Sequence, residues 1–260
     1  MTRSDPPHPP PHAATPRRLT VASYNIHRCI GSDGRLRPQR VLRVLREIDA
    51  DIVALQEVAV THEGRGQAPE TDQLSYLAGG LGYAVVAGPN LMSHQGRFGN
   101  ALLTRCRILE SQPVDLAVPG CVPRSALDVR LQSGQILLRV VATHLGLRRS
   151  ERREQIARLT AALASAREWA DITIVLGDFN EWRTSRTTLL PLDVTLGRTG
   201  APRTFPARFP TLRLDRIWVS PHLLVREMVA VRNRDTRRAS DHLPVRMVIS
   251  LPASAPPRDG

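Results

Sequence analysis

The feature that most constrains this sequence is a strand–helix–strand unit that occurs twice. "LTVASYNIH" is apolar and β-branched at strand spacing, "PQRVLRVLREI" carries apolar residues at helical spacing, and "ADIVALQEV" is a second apolar strand. Later, "QILLRVVATHL", "SERREQIARLTAALASAREW" and "ADITIVLGDFN" repeat that order, with Ser150 expected to open the helix. Both second strands begin Ala-Asp-Ile. Each strand ends on polar groups: Asn25 with His27, Glu57, His144, and Asp178 with Asn180. Two similar halves would naturally turn these ends toward a common cleft.

The remaining apolar segments read mostly as strands. "YAVVAG", "GNALLTR", "RSALDVRLQ", "LRLDRIWVS", "LLVREMVAV" and "PVRMVISL" are short, β-branched or alternating, and bounded by turn-like sequence. Many strands with few helices predict an α/β architecture of antiparallel or mixed sheets packed face to face, with helices outside. Residues 1–18 are Pro-rich and short of apolar side chains, which predicts a disordered tail, and 253–260 predict a flexible one. The intervening 19–252 predict one domain, long enough to bury a substantial core.

Charge narrows the partners. The formal net charge is +12, and all 36 basic residues are arginine, a usage that reflects base composition more than selection at each site. The excess still attracts phosphate-bearing partners, nucleic acid or phospholipid headgroups alike. Arg148, Arg149, Arg152 and Arg153 are expected as a solvated helix face. Cys29, Cys106 and Cys121 are odd in number and lack C-x-x-C spacing, so a disulfide framework or thiolate metal site is not expected. No apolar run reaches the roughly 18 residues of a membrane span, and the start lacks a signal-peptide core, so the expected location is cytoplasmic. No obligate protein partner is evident.

The polar strand ends, joined by Asp215, Asp241 and His242, are rich in carboxylate and amide oxygens, hard ligands that suit Mg²⁺ or Mn²⁺. Glu57 follows an apolar strand, where a charge is costly unless coordinated or paired. Taken singly, each residue also reads as an ordinary turn or loop residue, and Asp178 with Asn180 fits an Asx turn. The set, in order, is much harder to dismiss. Absence of a G-x-S-x-G elbow, an H-E-x-x-H helix, a P-loop lysine and a G-x-G-x-x-G fingerprint removes the main competing chemistries.

In "SYNIH", "LQEV", "GNALLTR", "THLG", "GDFN", "LDRIWVS" and "SDHLPV", spread over residues 19–251, the sequence resembles the endonuclease/exonuclease/phosphatase superfamily of metal-dependent phosphoesterases. The resemblance implies a four-layer α/β sandwich. It implies Glu57 as the main metal-binding glutamate with Asn25 beside it, and Asp241 as an acid on the metal side. Asp178 and Asn180 match the pair that aligns water and holds phosphate, and His242 matches the histidine at the phosphoryl group, fixed by Asp215. His144 matches a second phosphate-facing histidine, and Arg124, supported by Asn100, resembles a phosphate-facing arginine. His27 stands where abasic-site endonucleases place an aspartate, which argues against abasic-site repair; phosphate contact and local packing are both open to it.

The implied reaction is Mg²⁺- or Mn²⁺-dependent hydrolysis of a phosphodiester, with a phospholipid headgroup or small phosphorylated metabolite as the alternative substrate. An aromatic content of 4% and the absence of an evident stacking loop speak against nucleic acid, while the basic balance speaks for it.

Overall fold

The computed structural model describes residues 17–59, 72–88, 91–93, 96–165, 169–183 and 187–252. Of the expected tails, 1–16 and 253–260 lie outside this set, whereas Arg18 already opens the first strand. In chain order the elements are β1 (Arg18–Asn25), α1 (Pro38–Ile48), β2 (Ile52–Ala59), α2 (Gln73–Leu81), β3 (Ala84–Ala87), β4 (Leu91–Ser93), β5 (Gly96–Thr104), β6 (Arg107–Asp115), β7 (Ser125–Ser133) and β8 (Ile136–His144). They continue with α3 (Arg149–Ala164), β9 (Ile172–Asp178), α4 (Leu190–Leu196), β10 (Asp215–Ser220), β11 (Val225–Ala230), α5 (Thr236–Ala239) and β12 (Val245–Ser250).

Two mixed sheets result. One runs β11-β12-β1-β2-β5-β3 with β4 on β5, and the other runs β10-β9-β8-β7-β6. The repeated unit is present in both: β1 and β2 pair in parallel across α1, and β8 and β9 pair in parallel across α3. A parallel neighbour requires a crossover, which each helix supplies.

Side-chain alternation sorts the core into three layers of contact. Val21, Ile52, Leu102 and Met247 from one sheet meet Val129, Val140, Ile174 and Ile217 from the other. The opposite face of the first sheet, with Tyr24, Val53, Leu55 and Leu103, packs on Val41, Leu45 and Ile48 of α1 and on Leu74 and Leu77 of α2. Val141, Val175 and Trp218 on the outer face of the second sheet pack on Ile156, Leu159 and Leu163 of α3 and on Leu192 and Leu196 of α4. Helix, sheet, sheet, helix is the four-layer sandwich the resemblance implies.

Some local expectations change. Ser150 is not the helix cap: α3 starts at Arg149, and the Glu151 side chain reaches back to accept from the Arg148 N–H at 3.4 Å. Arg152 is not solvated either, its side chain being fully buried against Glu181 at 3.3 Å. A guanidinium there also donates to the carbonyls of Gly146 and Leu147 and sits 4.7 Å over the Trp182 ring. α2 was not anticipated, because Gly79 and Gly80 interrupt its helical propensity. Asp72 caps it by accepting from the Ser75 N–H at 3.1 Å.

Candidate active site

The topology brings the polar strand ends to one edge. Asn25, His144 and Asp178 are the last residues of β1, β8 and β9. Asp215 is the first residue of β10, which runs antiparallel to β9 and therefore begins at the same edge. His144, Asp178 and Asp215 are register partners across three adjacent strands. Asp241 and His242 precede β12, which enters antiparallel beside the end of β1.

Local backbone strain serves the same geometry. Glu57 sits in β2 with φ +57°, where the pairing with β5 shifts register between Leu55 and Val58. A non-glycine residue in this region is uncommon, and the irregularity re-aims its carboxylate away from the regular pleat. Asn180 has φ +49°, in a turn where its N–H donates to Asp178 Oδ1 at 2.9 Å. The Asx turn is thus real, and it leaves the other Asp178 oxygen for the site. Gly177 adopts φ +151°, and a Cβ there would lie 1.9 Å from the Thr143 carbonyl oxygen. Only glycine lets β9 approach β8 so closely just before Asp178.

Asp178 Oδ2 is the hub. It accepts from Asn25 Nδ2 at 3.1 Å, and it lies 3.6 Å from His144 Nε2 and 3.7 Å from His242 Nε2. Asn25 Nδ2 also reaches Glu57 Oε1 at 3.2 Å, so one amide bridges carboxylates from the two sheets. The Asn25 Oδ1 accepts from the His27 N–H at 3.0 Å, and His27 Nδ1 is 3.6 Å from Asp241 Oδ1. His27 therefore packs beside Asp241 and locks Asn25.

The two histidines differ in charge. At His242, burial pulls the pKa down, but Asp215 and Asp178 outweigh it and hold the imidazole at about 10. His242 Nδ1 is 2.9 Å from Asp215 Oδ2, an oxygen that also accepts from the Thr204 hydroxyl. At His144, burial and then Arg124 drive the pKa down to about 3. Arg124 Nη1 stands 3.3 Å from His144 Nδ1, so a proton on that nitrogen would oppose a guanidinium N–H. Asn180 Nδ2 lies 3.1 Å from His144 Nε2 and donates to the Leu145 carbonyl at 2.9 Å. A cationic and a neutral imidazole thus flank one carboxylate.

Arg124 shares a small cleft with Glu57, Asn100 and His144. Asn100 donates to the Ser125 carbonyl at 3.1 Å, anchoring the residue next to Arg124. Burial lowers the Arg124 pKa while Glu57 and Asp178 counter it, and the guanidinium stays charged. Sequence reading missed Thr204 and the part played by Ser240, whose hydroxyl donates to the Asn25 carbonyl at 2.8 Å and accepts from the His242 N–H at 3.2 Å.

Asp178, Asp215 and His242 offer ligand atoms within 4.8 Å of one another. A cationic His242 already bonded to Asp215 makes this an acid–imidazolium network and a poor metal site. Glu57 fits a hard cation better. Among the described residues no arginine or histidine forms an ion pair with it, and its carboxylate is tied to the Asp178 carboxylate only by an amide.

These strand ends, from both sheets, meet at one edge of the four-layer sandwich. The chain belongs to the endonuclease/exonuclease/phosphatase family, whose model matches residues 22–242, and this places it among hydrolytic phosphoesterases. It is 33% identical over 245 residues to the uncharacterized protein YbhP of Escherichia coli K12, covering 89% of this chain and 96% of that protein. An endonuclease/exonuclease/phosphatase family protein from Bacteroides thetaiotaomicron superposes with a TM-score of 0.71 at 20% identity, over 92% of this chain and 99% of that one. A mannosyl-6-phosphatase from the same species superposes with a TM-score of 0.70 at 20% identity, over 89% and 99%. At such identity the structural likeness speaks for fold alone. Among the described residues no helix is long and apolar enough to cross a membrane.

Proposed function

We propose that the protein is a divalent-metal-dependent phosphodiester hydrolase working by in-line attack of water. The observation that carries this is Asp178 Oδ2, which stands 3.1 Å from Asn25 and under 4 Å from both His144 and His242. Asp178 orients a water and accepts its proton. His242, cationic and held by Asp215, donates to the phosphoryl oxygen that gains charge, and the Asn180 amide and Arg124 guanidinium add further donors. Neutral His144 positions rather than charges: Nδ1 stands against Arg124, and Nε2 lies between the Asn180 amide and Asp178. Mg²⁺ or Mn²⁺, held by Glu57 with Asp241 as a further oxygen donor, would neutralise charge on the phosphate and the leaving oxygen, while Asn25, its Oδ1 taken by the His27 N–H, orients Glu57 through its amide in place of the oxygen ligation expected of it.

The mannosyl-6-phosphatase among the structural neighbours makes a monoester the competing substrate. Hydrolysis of bis(p-nitrophenyl) phosphate and of p-nitrophenyl phosphate, with Mg²⁺ and with EDTA, separates them. The expected result is diester cleavage that EDTA abolishes and that Asp178→Asn lowers at least about 10³-fold. Metal-independent turnover, or preference for the monoester, would overturn the proposal.

A further inference from the structure

A cavity of about 640 Å³ lies beside the catalytic cluster. Ser32, Arg208, Phe209, Arg234, Arg237 and Arg238 line it. It adjoins the cluster through Asp241, whose carbonyl accepts from the Ala207 N–H at 2.7 Å and whose carboxylate lies 3.6 Å from His27.

Its charge is built and unspent. Asp33 takes a bidentate pair from Arg40 at 2.9 and 2.8 Å, and Asp235 pairs with Arg43 at 3.5 Å. Among the described residues this leaves Arg208, Arg234, Arg237 and Arg238 without a carboxylate partner. The wall is fixed by close backbone contact: Ser32 donates through N–H and hydroxyl to the carbonyls of Arg238 and Arg237 at 3.3 and 2.9 Å. A Cβ on Gly31 would lie 2.2 Å from the Arg238 carbonyl, so glycine is required for this approach.

Phe209 stands on the rim, 74% exposed. A large aromatic left in water among four arginines matches the combination that binds single-stranded nucleic acid: a cationic groove for the backbone and a flat ring for a base. A lone phosphate has no use for the ring.

We propose that this cavity is the subsite for the nucleotide next to the scissile phosphate, with Phe209 stacked on its base and the arginines on its phosphate, so that the substrate is single-stranded nucleic acid. The substrate assignment rests on the phosphodiesterase reading above; binding in the cavity is measurable without turnover.

The test is binding of a fluorescein-labelled oligothymidylate of about a dozen nucleotides, in EDTA, by fluorescence polarisation across a salt series. Arg208→Glu with Arg237→Glu is expected to raise Kd at least about tenfold and to flatten the log Kd–log salt slope by about 1.4, two phosphate contacts at about 0.7 each. Phe209→Ala is expected to raise Kd about fivefold or more with the slope unchanged. The same charge change at Arg107 and Arg153, which belong to the layers built on the other sheet, is the control. Equal weakening by the control, no effect of Phe209→Ala, or displacement by phosphatidylglycerol vesicles as effective as by unlabelled oligonucleotide would each overturn the proposal. Binding that depends on these residues in a protein with no diesterase turnover would refute the catalytic reading and support the subsite. Turnover of the small diester with oligonucleotide binding indifferent to these residues would do the reverse.

Discussion

Asp215 and Asp178 oppose each other directly across the antiparallel β9–β10 pair, and His242 joins them. Like charges facing across strands are destabilising. The imidazolium between them, 2.9 Å from one carboxylate and 3.7 Å from the other, converts that repulsion into a fixed cation at the strand ends.

Removing the inner acid should therefore discharge the histidine. Asp215→Asn is expected to bring the alkaline limb of the pH–rate profile from about 10 toward the ordinary value near 6.5. From the deprotonated fraction alone, kcat/KM at pH 8 should fall about 30-fold. The stability sign follows. His242 titrates higher folded than unfolded, so its contribution is complete below about pH 6.5 and is lost as pH rises toward 10. Chemical denaturation at several pH values checks this, and a profile unmoved by the substitution would break the link.

Gly177→Ala should damage fold and activity together. The added Cβ would meet the Thr143 carbonyl oxygen at 1.9 Å, at φ +151°. A loss of about 3–5 kcal/mol is expected, read as a lower urea midpoint at unchanged m.

Arg152→Ala should cost about 3 kcal/mol, because it leaves the buried Glu181 carboxylate without its cation, held only by hydrogen bonds from the Arg183 N–H and Thr188. Combining Arg152→Met with Glu181→Leu should recover most of that loss in the same melt, since both charges then leave together. Failure of the double variant to recover would mean that the carbonyl bonds, not the ion pair, hold the loop.

Glu57→Gln should weaken Mn²⁺ binding at least about tenfold by isothermal titration calorimetry without substrate. The backbone at residue 57 already accepts a non-glycine side chain at positive φ, so the melting temperature should stay within about 4 °C, near 1 kcal/mol. Unaltered ion affinity would remove Glu57 from the metal site.

Much of this architecture was legible because strand ends break an apolar pattern conspicuously. Asn25, Glu57, His144 and Asp178 each terminate or interrupt a run whose other members are mostly buried, so their convergence could be anticipated. Thr204 could not be, since it lies in "GAPRTFPARFP", a loop with no periodicity, and acts only through contact with Asp215. Arg152 is hidden among four similar arginines, and only Glu181 and Trp182 distinguish it. Phe209 looked like one of few aromatics, and its exposure beside α5 is what gives it a use.

Among the described residues the two sheets share no hydrogen-bonded ladder, yet Asn25 from one and Asp178 from the other meet at 3.1 Å. A slip of one layer over its neighbour would rupture no strand pairing and would still misalign the reacting groups, where about 1 Å can cost about 100-fold in rate. Met247 and Val140, deep in the interlayer packing, thus act as the shims that set the tolerance of the chemistry.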